Sequence, residues 1–134
     1  MAPRDLPAQS NGIVNPVGQE QVLKIASNLR KDMPALEATD YLSKSGLRPC
    51  MAQNDHGTLS WFYSFTNAGT HTVRWKSPAG ETKSADLPNT KTLVLQFEPK
   101  KSAASQEWRS LDVKDCVLQG ARVHDTVIKL KKAL

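Results

Sequence analysis

The sequence predicts an α+β fold in which two N-terminal helices pack on one face of a four-stranded antiparallel meander, a two-layer sandwich. Two observations lead to this prediction. Apolar residues recur at helical spacing in the first fifty residues, and apolar and polar residues alternate with period two after that. The helices must bury their apolar sides, and one face of an antiparallel sheet offers the surface for it.

The first helix is predicted from the stretch QEQVLKIASNLRK, which begins at Gln19. Four apolar residues fall on one side of this helix and are expected to face the core: Val22, Ile25, Ala26 and Leu29.

The second helix is predicted from its end signals. Pro34 suits the first helical turn, and Asp32 complements the positive helix start. Gly46 is placed to end the helix in a left-handed conformation, and Pro49 prevents it from continuing. Its apolar side is expected to consist of Leu36, Ala38, Tyr41 and Leu42.

Alternating residues predict strands at 58–65, 71–77 and 92–99, and a last strand or strand pair within 107–123. The segments SPAG, residues 77–80, and DLPNT, residues 86–90, are interpreted as turns between strands. The aromatic residues that share strand parity with aliphatic residues are expected in the core: Trp61, Tyr63, Phe65, Trp75 and Phe97.

At 134 residues the chain has the length of one domain. Residues 1–18 hold three prolines and small polar residues, and they are interpreted as a flexible leader or tether. The α+β binding domain is expected at 19–125. Residues 126–134 are expected to form a basic C-terminal tail or a short helix.

The charge distribution disfavours nucleic acid as a partner. The net charge is +5, but the basic residues are scattered except at the C-terminal end, whereas a nucleic-acid face concentrates them. No apolar run has the length of a membrane helix, and the first residues lack the apolar stretch of a secretory signal. These observations are compatible both with a cytoplasmic protein and with an exported protein whose signal has been removed.

Two interpretations of the cysteines stay open. Cys50 and Cys116 are either small buried apolar side chains or, in an exported protein, a disulfide. Neither has a second cysteine or a histidine at metal-ligand spacing. Cys50 and His56 lie six positions apart, but a loop cysteine beside a loop histidine is a better interpretation than a nucleophile pair. No catalytic, cofactor or metal site is therefore expected.

Two short motifs resemble those of the BamE/SmpA–OmlA outer-membrane lipoprotein domains and of β-lactamase-inhibitor protein. In these, a Gly-Met-Thr/Ser-x-x-Glu/Gln-Val type motif opens the second helix and Leu-Gly-x-Pro closes it. Residues 32–38, DMPALEA, and 46–49, GLRP, stand in these two places. Asp32 occupies the position where the family has glycine, and Pro34 replaces the hydroxyl cap. The segment 115–123, DCVLQGARV, looks like the closing strand of the family.

The resemblance implies a non-enzymatic protein of the cell envelope that binds other proteins through its sheet. It implies a periplasmic, outer-membrane-associated or secreted location, with any membrane anchor on a removed N-terminus. Two alternatives are a secreted enzyme inhibitor and a weak nucleic-acid binder that uses the basic tail. Strand parity assigns the protein-binding residues to the sheet face opposite the helices: Phe62, Arg74, Lys76, Gln96 and Glu98.

Overall fold

Two helices and a five-stranded antiparallel sheet make up the fold. A computed structural model describes residues 13–124 and 126–133. The helices are α1, Gln19–Ala26, and α2, Ala35–Lys44. The strands are β1, Met51–Asp55; β2, Thr58–Lys76; β3, Thr82–Pro99; β4, Cys116–Val123; and β5, Thr126–Val127. Each strand pairs with the next along the chain, in the order β1-β2-β3-β4-β5.

The prediction of a four-stranded sheet is wrong, although two helices beside an antiparallel sheet still make an α+β fold. The short strands β1 and β5 are additional to those that alternation predicts. The stretches predicted as separate strands at 58–65 and 71–77 belong to one strand, β2. The segment 86–90, interpreted as a turn, lies inside β3. Pairing with a long partner strand outweighs the turn preference of its Asp, Pro and Asn residues.

The helices cover one face of the sheet. Val22, Ile25, Ala26 and Leu29 are buried, as the helical spacing predicts. In α2 the side chains of Ala38 and Leu42 are buried, whereas Leu36 is 59% exposed and does not belong to the apolar side predicted for this helix. The sheet contributes the other half of the core, with the largest buried side chains at Tyr63, Phe65, Phe97, Leu93, Leu95 and Leu118.

The β4 edge of the sheet is covered by two other segments. The Asp32 amide donates to the Leu118 carbonyl at 2.8 Å, and the Leu118 amide donates to the Met33 carbonyl at 2.9 Å. Strand β5 pairs further along β4, with Arg122 opposite Val127. These contacts satisfy backbone groups that would otherwise form an open strand edge.

The C-terminal residues return to the helix side of the sheet. The Ile128 side chain is buried in the core, and the Lys131 amide donates to the Leu29 carbonyl at 2.9 Å. Residues 126–133 therefore lie extended along the domain, and the short helix considered for this end is absent from them.

Positive φ angles mark the tight connections. Gly46 has φ +93°, which confirms the left-handed helix end predicted there. Asp32 has φ +66°, a left-handed conformation that glycine adopts more readily than aspartate. His56 and Gly57 both have positive φ and form the two-residue turn between β1 and β2.

Candidate functional site

The most distinctive surface feature is a two-stranded ribbon formed by the far half of the β2–β3 hairpin. We call residues 70–88 the arm. Its pairs run from Thr70 opposite Pro88 to Lys76 opposite Thr82. Seven residues of extended strand span roughly 23 Å. Gly80, with φ +84°, donates its amide to the Ser77 carbonyl at 2.9 Å and closes the turn at the tip.

One face of the arm carries a row of apolar side chains, two of which are well exposed. Register places Val73 opposite Ala85, with Trp75 and Leu87 as their neighbours on the same face. Trp75 is 46% exposed and Leu87 is 43% exposed. The expectation that Trp75 lies in the core is therefore wrong. Its strand parity is that of the core face, but the helices do not reach this part of the sheet.

Three cations lie next to Trp75 in the ribbon, one of them on the same face. Lys83 is its cross-strand partner, while Arg74 and Lys76 flank it in sequence and point to the opposite face. The arm also carries two acidic residues. Glu81 is in the tip turn, and the Asp86 carboxylate accepts from the Thr72 hydroxyl at 2.6 Å. The outer half of the arm thus combines an exposed indole with three neighbouring cations.

A bulge separates the arm from the body of the sheet. Between Thr66 and Thr70 the register shifts, so residues 67–69 lie against the single residue Asn89. The Asn89 side-chain nitrogen, Nδ2, donates to the Ala68 carbonyl at 3.0 Å. Its side-chain oxygen lies 2.9 Å from His71 Nδ1, so that nitrogen carries the hydrogen of this bond. The Asn89 side chain therefore joins β3 to β2 by two hydrogen bonds at the base of the arm.

The structure divides the predicted protein-binding residues between two places. Phe62, Gln96 and Glu98 lie on the body of the sheet, on the parity of the face opposite the helices. Arg74 and Lys76 lie on the arm. Because Phe62 pairs with Val94 and Arg74 pairs with Ser84, ten residues of β3 separate the two places, roughly 33 Å. They do not form one patch.

The body part of this sheet face is only partly open. Phe62 is half-buried, and its cross-strand neighbour Val94 is buried. The C-terminal segment does not cover this face, because its described part runs on the helix side. Phe62 and Gln96 remain available as a small surface with a single aromatic side chain.

The disulfide considered for an exported protein does not form, since both cysteines are free. Cys50 precedes β1 and its sulfur lies 3.2 Å from the Ser64 hydroxyl. Cys116 pairs with Pro99 at the far end of β4, with β2 and β3 between the two cysteines. Burial, with the charges of Asp115 and Asp112 added, raises the pKa of the Cys116 thiol to about 11. This favours the neutral thiol, which is a poor nucleophile.

Cys50 and His56 do not form a nucleophile pair. They lie at opposite ends of β1, whose five residues span roughly 17 Å. His56 instead packs against Trp108, with ring centroids 4.6 Å apart, and the Arg109 guanidinium lies 4.4 Å from the centre of the same indole. Trp108 falls within the stretch 107–123 predicted to hold the last strand or strand pair, but it lies in a 3₁₀ turn at Trp108–Ser110, and the strand begins only at Cys116. Trp108 fixes the loop after β3 on the sheet, through a 2.9 Å hydrogen bond from the Asn54 side chain to its carbonyl.

No group of three or more His, Cys, Asp or Glu side chains within residues 13–124 and 126–133 is placed to hold a metal ion. In the same part of the chain, no helix combines the length and the apolar content needed to cross a membrane.

Comparison with known proteins adds no relative. No family model, no characterised protein and no solved structure matches this chain.

Proposed function

We propose that this chain is a non-enzymatic protein-binding module that engages its partner through the arm. The observation that carries the proposal is the exposed apolar face of the arm, centred on Trp75 and Leu87. Tryptophan is among the residues most enriched at the energetic centres of protein interfaces. A ribbon that extends past its own core leaves this indole free for another molecule.

The charges around Trp75 define the chemistry of the partner. Lys83, on the same face as the indole, complements a carboxylate at the rim of an apolar groove that receives Trp75. Arg74 and Lys76, on the other face of the ribbon, add to the positive field around the arm. Such an interface associates faster at low salt, because the rim charges steer the encounter. We further propose the cell envelope as its compartment, on the resemblance of residues 32–49 to the lipoprotein motifs.

A second candidate is the inhibition of an enzyme. The arm is a two-stranded ribbon closed by a tight turn at residues 77–80, and we propose that this turn enters the active-site cleft of the enzyme. This function would use the same residues, so the partner recovered in a binding experiment separates the two.

The test compares the full chain with two double variants as bait in a cross-linking pull-down from the native organism. Trp75→Ser with Leu87→Ser removes the apolar face of the arm, and Phe62→Ala with Gln96→Ala removes the surface on the body. We expect the arm variant to lose the partner while its melting temperature stays unchanged, since neither side chain belongs to the core cluster. The body variant should retain the partner.

Loss of the partner in the body variant alone would move the site to the sheet face. Equal recovery with both variants and the wild-type chain would overturn the proposal. Purified partner then allows titration at low and high salt, where the arm mechanism requires weaker binding at high salt.

A further inference from the structure

A second charged surface lies at the β4–β5 edge of the sheet, where the C-terminal segment passes the connection between α1 and α2. We call it the edge patch. Lys31, Lys131 and Lys132 line a pocket of about 390 Å³ there, together with the apolar residues Val127, Ile128 and Leu130. Lys129 and Arg122 are exposed next to it.

Backbone pairing, not chance proximity, brings these lysines together. The Lys31 amide donates to the Lys131 carbonyl at 3.0 Å, and the Lys131 amide donates to the Leu29 carbonyl at 2.9 Å. The Lys131 ammonium group reaches the Asn28 side chain at 3.2 Å. Cations from the two ends of the domain thus occupy one edge, which the net charge alone does not reveal.

Few carboxylates offset this charge in the described part of the chain. The Asp32 carboxylate accepts from the Gln119 side chain at 3.2 Å, and Glu37 lies 3.9 Å from Arg30. Lys31, Lys129 and Lys132 have no carboxylate within ion-pair distance among residues 13–124 and 126–133. The edge patch therefore attracts an anionic partner.

The apolar residues of the patch define the kind of anion. Val127 is 78% exposed, the most exposed large apolar side chain in the described part of the chain, and it lies opposite Arg122. A nucleic-acid backbone offers charge without an aliphatic surface, and its bases stack on aromatic side chains, whereas this pocket is aliphatic. The lysines are flexible point charges, suited to a diffuse negative surface more than to a planar bidentate carboxylate.

We propose that the edge patch binds the surface of an anionic phospholipid bilayer, with the lysines among the headgroups and Val127 at the acyl boundary. Clustered lysines beside a small apolar group are the pattern of reversible membrane-surface binding. The surface would act as a contact to the membrane while the arm, which is formed by β2 and β3 beyond the body of the sheet, stays free.

The test uses the full chain in co-sedimentation with vesicles of phosphatidylcholine alone and with phosphatidylglycerol added. We expect binding to the anionic vesicles only, and weaker binding at high salt. Lys31→Gln with Lys132→Gln removes two charges and should weaken binding about thirtyfold, at about fivefold per lysine near an anionic surface. Lys76→Gln with Lys83→Gln is the matched control on the arm and should bind like the wild-type chain.

A third variant, Val127→Ser, separates insertion from simple attraction. It keeps every charge, and we expect it to weaken vesicle binding several-fold without changing the melting temperature. No binding of the wild-type chain to anionic vesicles, or equal loss in the arm control, would overturn the proposal. So would a duplex DNA that competes the protein off the vesicles, which would assign the patch to nucleic acid. None of these results bears on partner recovery through Trp75.

Discussion

Gly46 shows how a single residue ends an element. Its φ of +93° is a conformation that β-branched residues avoid, and open space surrounds the position that a Cβ atom would occupy. Gly46→Val should therefore lower the free energy of unfolding by about 1–2 kcal/mol through backbone strain alone. Gly120→Val is the matched control, because Gly120 also faces open space but has an ordinary φ within β4. Urea denaturation of both variants measures this, and equal stabilities would contradict the strain argument.

Tyr63 carries a buried hydroxyl that has no hydrogen-bond partner in the described part of the chain. Burial also raises the pKa of this phenol well above its usual value. Tyr63→Phe should increase the free energy of unfolding by about 1 kcal/mol, since it removes an unsatisfied polar group and keeps the ring. Thermal and urea unfolding check the sign. A loss of stability would mean that the hydroxyl is hydrogen-bonded in solution.

Cys116 gives the domain a dependence on alkaline pH. Its pKa is about 11 in the fold, above the ordinary value of a thiol, so the unfolded chain releases the proton first as pH rises. The contribution of this residue to stability is complete below the unfolded pKa and is lost as pH increases toward 11. Urea denaturation from neutral pH up to pH 11 should show a steeper decline for the wild-type chain than for Cys116→Ala. Parallel declines would show that the thiol ionises as easily in the fold as in the unfolded chain.

At the scale of elements, the arm should be dispensable for folding. None of its residues belongs to the core cluster, and Thr66 pairs directly with Thr90 at its base. Replacing residues 67–89 by Asn-Gly places a favoured two-residue turn at that pair. We expect the melting temperature to change by only a few degrees, about 1 kcal/mol or less. Circular dichroism measures this, and failure of the shortened chain to fold would show that the arm supports the body.

The helices could be predicted from sequence more fully than the strands. Helical spacing and the end signals around Gly46 are local, and α2 ends where those signals place it, whereas α1 starts at Gln19 as predicted but ends at Ala26, before Leu29. Strand β1 lacks alternation, and its partner, not its own residues, makes it a strand. The stretch around residues 86–90 contains turn residues, but pairing with residues 70–72 keeps it extended. The sequence does not reveal which distant segments pair with each other as strands.

At the scale of the whole molecule, the arm makes the protein longer than its residue count suggests. It adds roughly 23 Å beyond the body, by the rise of seven extended residues. Small-angle X-ray scattering should show a maximum dimension that shrinks by about 20 Å when residues 67–89 are replaced by Asn-Gly. An unchanged dimension would mean that the arm folds back onto the body in solution.

The candidate sites also depend on the whole molecule. Parity correctly separates the two faces of the ribbon, so Arg74 and Trp75 can be assigned to opposite faces from sequence. The helices end before they reach Trp75. This depends on the relative lengths of helices and strands, which no local sequence pattern shows. The edge patch is visible in sequence only as a basic C-terminal end, because Lys31 joins it from the distant connection between the helices.

The length of the arm also bears on folding speed. Leu59 and Phe97 form a core pair although about 38 residues separate them, most of which belong to the hairpin beyond the body. Closing that loop costs more entropy than closing the loop of fewer than about 20 residues that would remain after replacement by Asn-Gly. The difference corresponds to about threefold in rate if the body pairs before the arm does. Stopped-flow refolding of the two chains would show whether the arm forms early and guides the central strands together, or delays them.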